Sequence, residues 1–516
     1  MNQRNSMNIQ EPPRGQNRSF LAKSTGSRPG DESELVSAKI LTWGAGLLLA
    51  YFGVRLIFFA LSISPAVPPD EVSHAGLCKV FSKVLLLPDN SPATYEFGLV
   101  TNIPWLYYWI MGKLLHLNFL GISDLVFCRL LNIPLAFGTI YFIRQTLLLL
   151  TKDRLAQLLL VVLLTNTAMF SLLSASVSYD NLANLLSAMA IYYLLAFFRE
   201  RSAPRLAATV LCQLAGCLCK ITFLPLVLTL NLLLLLHEAR NLRLIPAALK
   251  NCIRGATTLT WLTAAAMLVA LGLNFQLHGG NYLRFETLNP SMTDVVSSQA
   301  AMEHRLDARG LIFNQYKEGK ISYMEAVIMA GEIRHPGDKA DTFYLLMNYE
   351  KMKSNPRLWM TPWAYSVVWL ENMVGSSLGI KSHLIMTKEG GELIPLYVVM
   401  ALALLGFIVR WRPRESGWLP LQAAFIITLY AGYFMHEINY ESYLNYGAPG
   451  LTLYGRYLFP VIGPSAVLFC CYLPQLFRAK VLCYILTLST TLLLVSYDFP
   501  WFLMHATPEW FSWLPR

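Results

Sequence analysis

An acidic pair and a histidine lie in the segment PPDEVSHAG, directly after the first long apolar stretch of the chain. Asp70 and Glu71 are adjacent, and a helix would place His74 one turn after Asp70 on the same face. Carboxyl and imidazole groups in this spacing can take a proton from a hydroxyl group or bind a divalent cation such as Mg²⁺ or Mn²⁺. A solvated carboxylate pair that ends a helix after Pro68 and Pro69 is the simpler alternative.

Two further charged residues interrupt apolar sequence later in the chain. Asp180 follows Tyr179 in SASVSYDNLANLL, where either Ser178 or Asp180 can cap the next helix and stabilise it by about 1 kcal/mol. Lys220 stands between two apolar segments in LAGCLCKITFLPL. A lysine here can be an anchor whose ammonium reaches the membrane interface, or a cation that binds phosphate.

An arginine between two tyrosines occurs in LYGRYLFP, just before a late apolar stretch. Arg456 can grip a lipid phosphate through two parallel hydrogen bonds, whereas Tyr454 and Tyr457 are also typical of an aromatic belt at the membrane interface. Arg55 and Arg129 lie within apolar stretches and can be structural partners for carboxylates.

Membrane-spanning helices must position these residues. Of the 516 residues, 55% are hydrophobic and 14% are charged, and Leu-rich stretches of about 20 residues recur along the chain. This composition predicts an all-α, polytopic membrane protein and excludes a barrel. The net charge of +10 comes from short basic segments between apolar stretches, so no nucleic-acid partner is expected. The nine cysteines indicate neither a disulfide framework nor a zinc site.

The apolar stretches predict about eleven spans in a transmembrane bundle. These spans lie near 40–63, 126–148, 155–176, 180–198, 205–220, 221–237, 255–275, 393–410, 418–436, 457–475 and 480–497. Basic clusters between spans indicate the cytoplasmic side, which places the N-terminus inside and the C-terminus outside. The clusters are Arg144, Lys152 and Arg154; Arg199, Arg201 and Arg205; Arg240, Arg243, Lys250 and Arg254; Arg410, Arg412 and Arg414; and Arg478 with Lys480.

This topology gathers the polar residues between spans on the outer face. Asp70, Asp180, Lys220 and Arg456 would all lie there, which makes a polar site at the outer membrane surface a hypothesis. The segment 99–121 is expected to be an interfacial or half-inserted helix.

The chain divides into four predicted regions. Residues 1–38 are polar and predict a disordered cytoplasmic tail, and 39–275 predict a transmembrane core with a first outer loop at 64–125. Residues 276–392 predict an extracytoplasmic or interfacial excursion, and the apolar spacing within 302–357 fits two or three amphipathic helices. Residues 393–516 predict the C-terminal spans.

The chain resembles a bacterial membrane family over nearly all of its length from about residue 40 to residue 500. The matching segments are PPDEVSHAG, NIPWLYYWI followed by VFCRLLNIPLAF, SASVSYDNLANLLSAMAIYYL, CKITFLPLVL, WLENMVGSSLG and LYGRYLFPVIGP. Members of that family are similar to the GT-C superfamily of glycosyltransferases. The resemblance implies a GT-C-like fold and the transfer of a sugar from a polyprenyl-phosphate or polyprenyl-diphosphate carrier to an acceptor on the outer side of the membrane.

The resemblance also implies roles for individual residues. Asp70, with Glu71 beside it, would be the acidic residue that activates the acceptor. Asp180 matches a second outer acidic position that helps bind metal in some relatives, so Asp70 and Asp180 are the candidate ligands for Mg²⁺ or Mn²⁺. Lys220 and Arg456 would contact the carrier phosphate. The residues expected to bind substrate are His74, Tyr179, Asp180, Lys220, Arg456 and Tyr457.

The sequence therefore predicts a multi-pass glycosyltransferase of the bacterial inner membrane. Its donor would be a polyprenyl-linked sugar, because no Gly-rich phosphate loop or Rossmann fingerprint for a nucleotide sugar is present. Its acceptor would be an envelope glycan or a glycolipid. Two alternatives stay open: a transporter or flippase for a polyprenyl-linked glycan, and a non-catalytic scaffold of a polysaccharide assembly complex that binds through 276–392.

Overall fold

Helices dominate the computed structural model, which describes residues 29–119, 121–239, 257–302, 305–333, 336–387, 390–413 and 417–513. Within those ranges the only strands are Ile380–Lys381 (β1) and Ile385–Met386 (β2), which pair antiparallel. The predicted all-α class is confirmed.

The first half of the chain forms ten helices in the described ranges. They are α1 (Pro29–Ser62), α2 (Glu71–Ser82), α3 (Leu106–Leu114), α4 (Asp124–Leu150), α5 (Arg154–Thr165), α6 (Ala168–Ser174), α7 (Asp180–Glu200), α8 (Ala203–Cys219), α9 (Leu224–Glu238) and α10 (Thr258–Asn274). Helix α1 begins at Pro29, so the last residues of the predicted 1–38 tail are helical, while residues 1–28 and the basic cluster from Arg240 to Arg254 lie outside the described residues.

The second half of the chain adds thirteen helices in the described ranges. They are α11 (Gly280–Phe285), α12 (Met292–Val295), α13 (Ser298–Ala301), α14 (Arg305–Lys317), α15 (Tyr323–Glu332), α16 (Pro336–Ser354), α17 (Pro362–Leu378), α18 (Ile394–Arg410), α19 (Leu419–Tyr433), α20 (Glu441–Tyr446), α21 (Ile462–Tyr472), α22 (Lys480–Ser496) and α23 (Phe499–His505). Two π-helical turns, Phe275–Gly279 and Phe434–Tyr440, continue α10 and α19.

Seven helical segments of the described chain are long and apolar enough to cross a membrane. They are Lys39–Ser62, Asp124–Leu150, Asp180–Glu200, Ile221–Glu238, Thr258–Phe285, Gly390–Arg410 and Lys480–His505. Each coincides with a predicted span, so the chain is a helical membrane protein. The remaining predicted spans correspond to the bent pair α5 and α6, and to the shorter helices α8, α19 and α21.

Burial separates helices at the centre of the bundle from helices at its surface. In the apolar window of Asp180–Glu200, 72% of the residues are buried, whereas none of the window of Thr258–Phe285 is. On α1, the side chains of Val54, Ile57 and Leu61 are exposed. Apolar side chains that face outward in this way are suited to contact with lipid tails.

The bend of 68° between α5 and α6 has a local cause. The side chains of Asn166 and Thr167 donate back to the carbonyls of Val162 and Leu163 at 2.8 Å, which competes with the helical backbone bonds. Arg55 then donates to the freed carbonyl of Thr165 and forms a buried ion pair with Asp498. Arg55 therefore has the structural role that was open to it.

The excursion between the transmembrane regions contains a small helical cluster. Helices α14, α15 and α16 pack around a shared apolar core that includes Ile312, Phe313, Ala326 and Leu346. These three helices lie in the stretch 302–357, whose apolar spacing fits two or three amphipathic helices. Helix α17 follows and packs on the π-helical turn Phe434–Tyr440, where Trp369 Nε1 donates to Asn439 Oδ1 at 2.9 Å.

The two ends of the bundle differ in charge. Helix α4 has 27 residues, and a helix of that length is about 40 Å long. Four of the five basic clusters have described residues at its C-terminal end, where Arg199 donates to the Leu149 carbonyl at 2.9 Å and one pocket is lined by Arg410, Arg478 and Lys480. The segment PPDEVSHAG lies at the other end, near the start of α4.

Candidate functional site

The turn before α2 sets the direction of the acidic pair. Asp70 has φ of 56°, in the left-handed region that aspartate and asparagine tolerate better than most other residues. Helix α2 begins at Glu71, and the His74 N–H donates to the Asp70 carbonyl at 2.9 Å. The predicted one-turn spacing of Asp70 and His74 is therefore present.

Glu71 occupies a buried ion pair and not the candidate site. Arg129 places its guanidinium fork on both carboxylate oxygens, and the Val177 N–H donates to Oε1 at 2.7 Å. The same guanidinium donates to the carbonyls of Ala60 and Ile63 at 3.1 and 2.8 Å. Glu71 is 0% exposed and both of its carboxylate oxygens are occupied, so the structure gives it a structural role, whereas its predicted catalytic role stays a prediction. The pair holds α1, α2, α4 and the segment before α7 together.

Asp180 and Lys220 form a second buried ion pair. Ser178 Oγ accepts a hydrogen bond from the Asp180 N–H at 3.2 Å. The Asp180 carboxylate does not cap α7 and faces Lys220. The Lys220 ammonium lies 4.9 Å from the ring centre of Tyr179 and 5.2 Å from that of Tyr457, which is within the range of cation–π attraction.

Arg456 connects the late segment LYGRYLFP to the acidic turn. Its Nη2 lies 3.4 Å from Asp70 Oδ2, and its guanidinium lies 5.3 and 5.5 Å from the ring centres of Tyr454 and Tyr457. The preceding residue, Gly455, approaches α17 so closely that a Cβ atom would come within 2.6 Å of the Met373 carbonyl oxygen.

The guanidinium of Arg456 is buried yet incompletely bonded. The residue is 8% exposed, and its Nε has no hydrogen-bond partner among the described residues. Burial opposes its charge, but Tyr457, Asp180 and Asp70 outweigh burial and raise the pKa of Arg456 above its ordinary value. A permanently charged donor with an unused N–H is suited to an anionic ligand.

His74 is an uncharged residue of the candidate site. Its Nδ1 lies 2.8 Å from the Tyr108 hydroxyl, and its ring centre lies 4.6 Å from that of Tyr179. Burial lowers the pKa of His74 to about 4, although the carboxylates of Asp70 and Asp180 act in the opposite direction. The imidazole is therefore uncharged at neutral pH.

The shifted pKa of His74 predicts a loss of stability in acid. Its folded-state pKa of about 4 lies below the ordinary 6.5, so between these values the unfolded chain takes up a proton that the folded chain does not. Stability present above pH 6.5 is lost as the pH falls toward 4, by up to about 3 kcal/mol. The variant His74→Phe keeps the ring contacts and cannot titrate. Its midpoint of thermal unfolding in detergent should fall less on acidification than that of the wild type, and equal falls would contradict this account.

The structure brings together seven of the eight residues singled out from the sequence. They are Asp70, His74, Tyr179, Asp180, Lys220, Arg456 and Tyr457. Sequence reasoning missed Tyr108 and His383. The Asp70 N–H donates to His383 Nε2 at 3.3 Å, from the turn between β1 and β2. No periodic pattern surrounds His383, so no sequence signal indicated it, and only the fold shows that it lies close to Asp70.

The donor set at the site does not fit the expected divalent cation. Within the described ranges no group of three or more His, Cys, Asp or Glu side chains is placed to hold a metal ion. The candidate ligands Asp70 and Asp180 each face a cation, Arg456 and Lys220 respectively. Because positive charge already partners both carboxylates, they do not form a site for Mg²⁺ or Mn²⁺ in this arrangement.

The arrangement can bind a phosphate and accept a proton at neighbouring positions. Arg456 and Lys220 supply positive charge in a largely buried, aromatic environment, where electrostatic attraction is strong. The Asp70 side chain is 36% exposed, which leaves its carboxylate accessible.

No family model matches the chain, and no curated protein matches it.

Proposed function

We propose that this chain is a GT-C-like glycosyltransferase of the bacterial inner membrane. It moves a sugar from a polyprenyl-phosphate or polyprenyl-diphosphate carrier to a hydroxyl group of an envelope glycan or glycolipid. The observation that supports this proposal best is the contact between Asp70 and Arg456, whose Nε has no hydrogen-bond partner among the described residues. This contact places a proton acceptor beside a hydrogen-bond donor that can bind phosphate.

The charge asymmetry of the bundle supports an outer location for the reaction. The basic end belongs in the cytoplasm by the positive-inside rule, so the end that holds Asp70 faces outward. In this proposal α8, α19, α21 and the bent pair α5 and α6 complete about eleven crossings, with the N-terminus inside and the C-terminus outside.

Arg456 and Lys220 are the proposed contacts of the carrier phosphate. A polyprenyl phosphate presents its anion at the membrane interface, and Arg456 has an N–H available there. When the bond between the anomeric carbon and the phosphate oxygen breaks, negative charge grows on the departing phosphate. Fixed positive charges that meet this oxygen stabilise the transition state more than the ground state.

Asp70 is the proposed base. The acceptor oxygen forms a bond to the anomeric carbon, its proton passes to the Asp70 carboxylate, and the polyprenyl phosphate leaves with the electron pair of the broken bond. A phosphate on Arg456 would compete with Asp70 for the guanidinium and so make the carboxylate more available. Inversion at the anomeric carbon is expected by analogy with the superfamily alone.

Purified protein in proteoliposomes tests the proposal. The vesicles would contain radiolabelled polyprenyl-phosphate sugars and a lipid and glycan extract of bacterial envelopes as acceptor. Protein-dependent movement of label from the polyprenyl carrier to the acceptor fraction is the expected result. Label that crosses the bilayer while still attached to the carrier would favour the flippase alternative. If the protein causes neither transfer nor crossing of the label, the scaffold is favoured. Either of these two results would overturn the glycosyltransferase proposal.

A further inference from the structure

A side cleft between α1, α4 and α5 lies away from the candidate site. Its volume is about 410 Å³, within the range of about 300–1,000 Å³ that is common for ligand pockets. Leu49, Phe137 and Val161 are among its apolar lining residues, and two arginines, Arg144 and Arg154, also line it. The cleft therefore combines apolar walls with positive charge.

The two arginines converge on one glutamine. Arg144 Nη2 lies 2.8 Å from Gln157 Oε1, and Arg154 Nη1 lies 3.5 Å from the same oxygen. Neither guanidinium forms an ion pair with a carboxylate in the part of the chain that the structure describes. Two neighbouring cations without an acidic partner are suited to a phosphate group.

The position of the cleft identifies the kind of ligand. Arg144 lies in the last turns of α4, at the same end of the bundle as Arg199, Arg410 and Arg478. Apolar walls that lead to a basic group at this level match a phospholipid, with its acyl chain between the helices and its phosphate on the arginines. Basic pockets between transmembrane helices on the cytoplasmic side bind anionic headgroups by this combination.

We propose that the cleft between α1, α4 and α5 binds an anionic glycerophospholipid of the same membrane leaflet as the basic clusters. The acyl chain lies along Leu49, Phe137 and Val161, and Arg144 and Arg154 bind the phosphate. This site is separate from the candidate site at the opposite end of α4, and it does not depend on the proposed glycosyltransferase activity.

Two variants separate the headgroup contact from the acyl contact. Arg144→Ala with Arg154→Ala removes the cations. Gly46→Leu fills the apolar part, because Gly46 lines the cleft and a Cβ atom there would meet nothing within 4 Å. Lys152→Ala is the matched control, since Lys152 is an exposed cation of the same loop that does not line the cleft.

Native mass spectrometry of delipidated full-length protein titrated with lipid measures the binding. Wild type should retain one phosphatidylglycerol in preference to phosphatidylethanolamine, with inorganic phosphate unable to compete. The double arginine variant should bind phosphatidylglycerol about 30-fold more weakly, Gly46→Leu should lose both lipids, and Lys152→Ala should match wild type.

Several results would overturn the lipid site. They are equal binding of the two lipids by wild type, an unchanged double arginine variant, an equal loss in Lys152→Ala, competition by inorganic phosphate, or a second copy of the chain in place of the lipid. Gly46→Leu keeps the test informative if the double variant is unstable, because it leaves both arginines in place.

Discussion

Asp70→Asn should reduce sugar transfer by about a hundredfold to ten-thousandfold, which is the usual contribution of a general base. Asparagine has nearly the same shape as aspartate and also tolerates the left-handed backbone conformation at φ of 56°, so the turn before α2 should persist. The amide cannot accept the proton of the acceptor hydroxyl. The rate of label transfer in the proteoliposome assay measures the loss.

The amount of protein in the membrane and the binding of polyprenyl phosphate should both remain within about twofold of wild type in Asp70→Asn, because Arg456 and Lys220 are unchanged. Asp89→Asn is the matched control, since Asp89 is an exposed acidic residue of the same predicted outer loop, 64–125. Full transfer activity in Asp70→Asn would remove Asp70 from the reaction, and a similar loss in Asp89→Asn would indicate a nonspecific effect.

Glu71→Gln should destabilise the protein by about 3–5 kcal/mol, because it leaves the buried Arg129 guanidinium without its counter-charge. Glutamine also turns an N–H toward a group that only donates. The free energy of unfolding, from denaturant titration in detergent micelles, measures the effect. Glu96→Gln is the control at an exposed glutamate and should change stability by less than about 0.5 kcal/mol.

The double variant Glu71→Leu with Arg129→Met gives a further test of this pair. It removes both charges, so it should recover part of the lost stability. Recovery should be incomplete, because the carbonyls of Ala60 and Ile63 lose the donors that Arg129 supplied. If Glu71→Gln is as stable as wild type, the pair does not hold the helices together as we describe.

Sequence periodicity predicted the long spans well and the short ones poorly. A stretch such as 480–497 is mostly apolar and carries no charge after Lys480, and a long uninterrupted helix follows from that pattern alone. In contrast, Asn166 and Thr167 bend the predicted span 155–176 through side-chain bonds to the backbone. The predicted span 457–475 begins as a 3₁₀ segment, Gly455–Val461, and only 11 residues of it, Ile462–Tyr472, form α21.

The candidate site was partly predictable for a physical reason. Asp70, Asp180, Lys220 and Arg456 each interrupt apolar sequence at the end of a predicted span, and the counting of spans places such ends together. The separate roles of Asp70 and Glu71 were not predictable, because they depend on Arg129, which lies 58 residues from Glu71 in the chain. His383 reaches Asp70 from a hairpin that no periodic pattern indicates.

We expect a carrier phosphate to bind at Arg456 and Lys220, beside Asp70. The most direct test of this binding is to photolabel the protein with a sugar-free polyprenyl phosphate that carries a photoreactive group next to the phosphate. Peptide mapping then identifies the labelled segments. We expect label in the segments around Tyr179, Lys220 and Tyr457, and a loss of that label in Arg456→Ala but not in Arg412→Ala at the basic end. Label confined to the basic end, or equal labelling of wild type and Arg456→Ala, would contradict the claim.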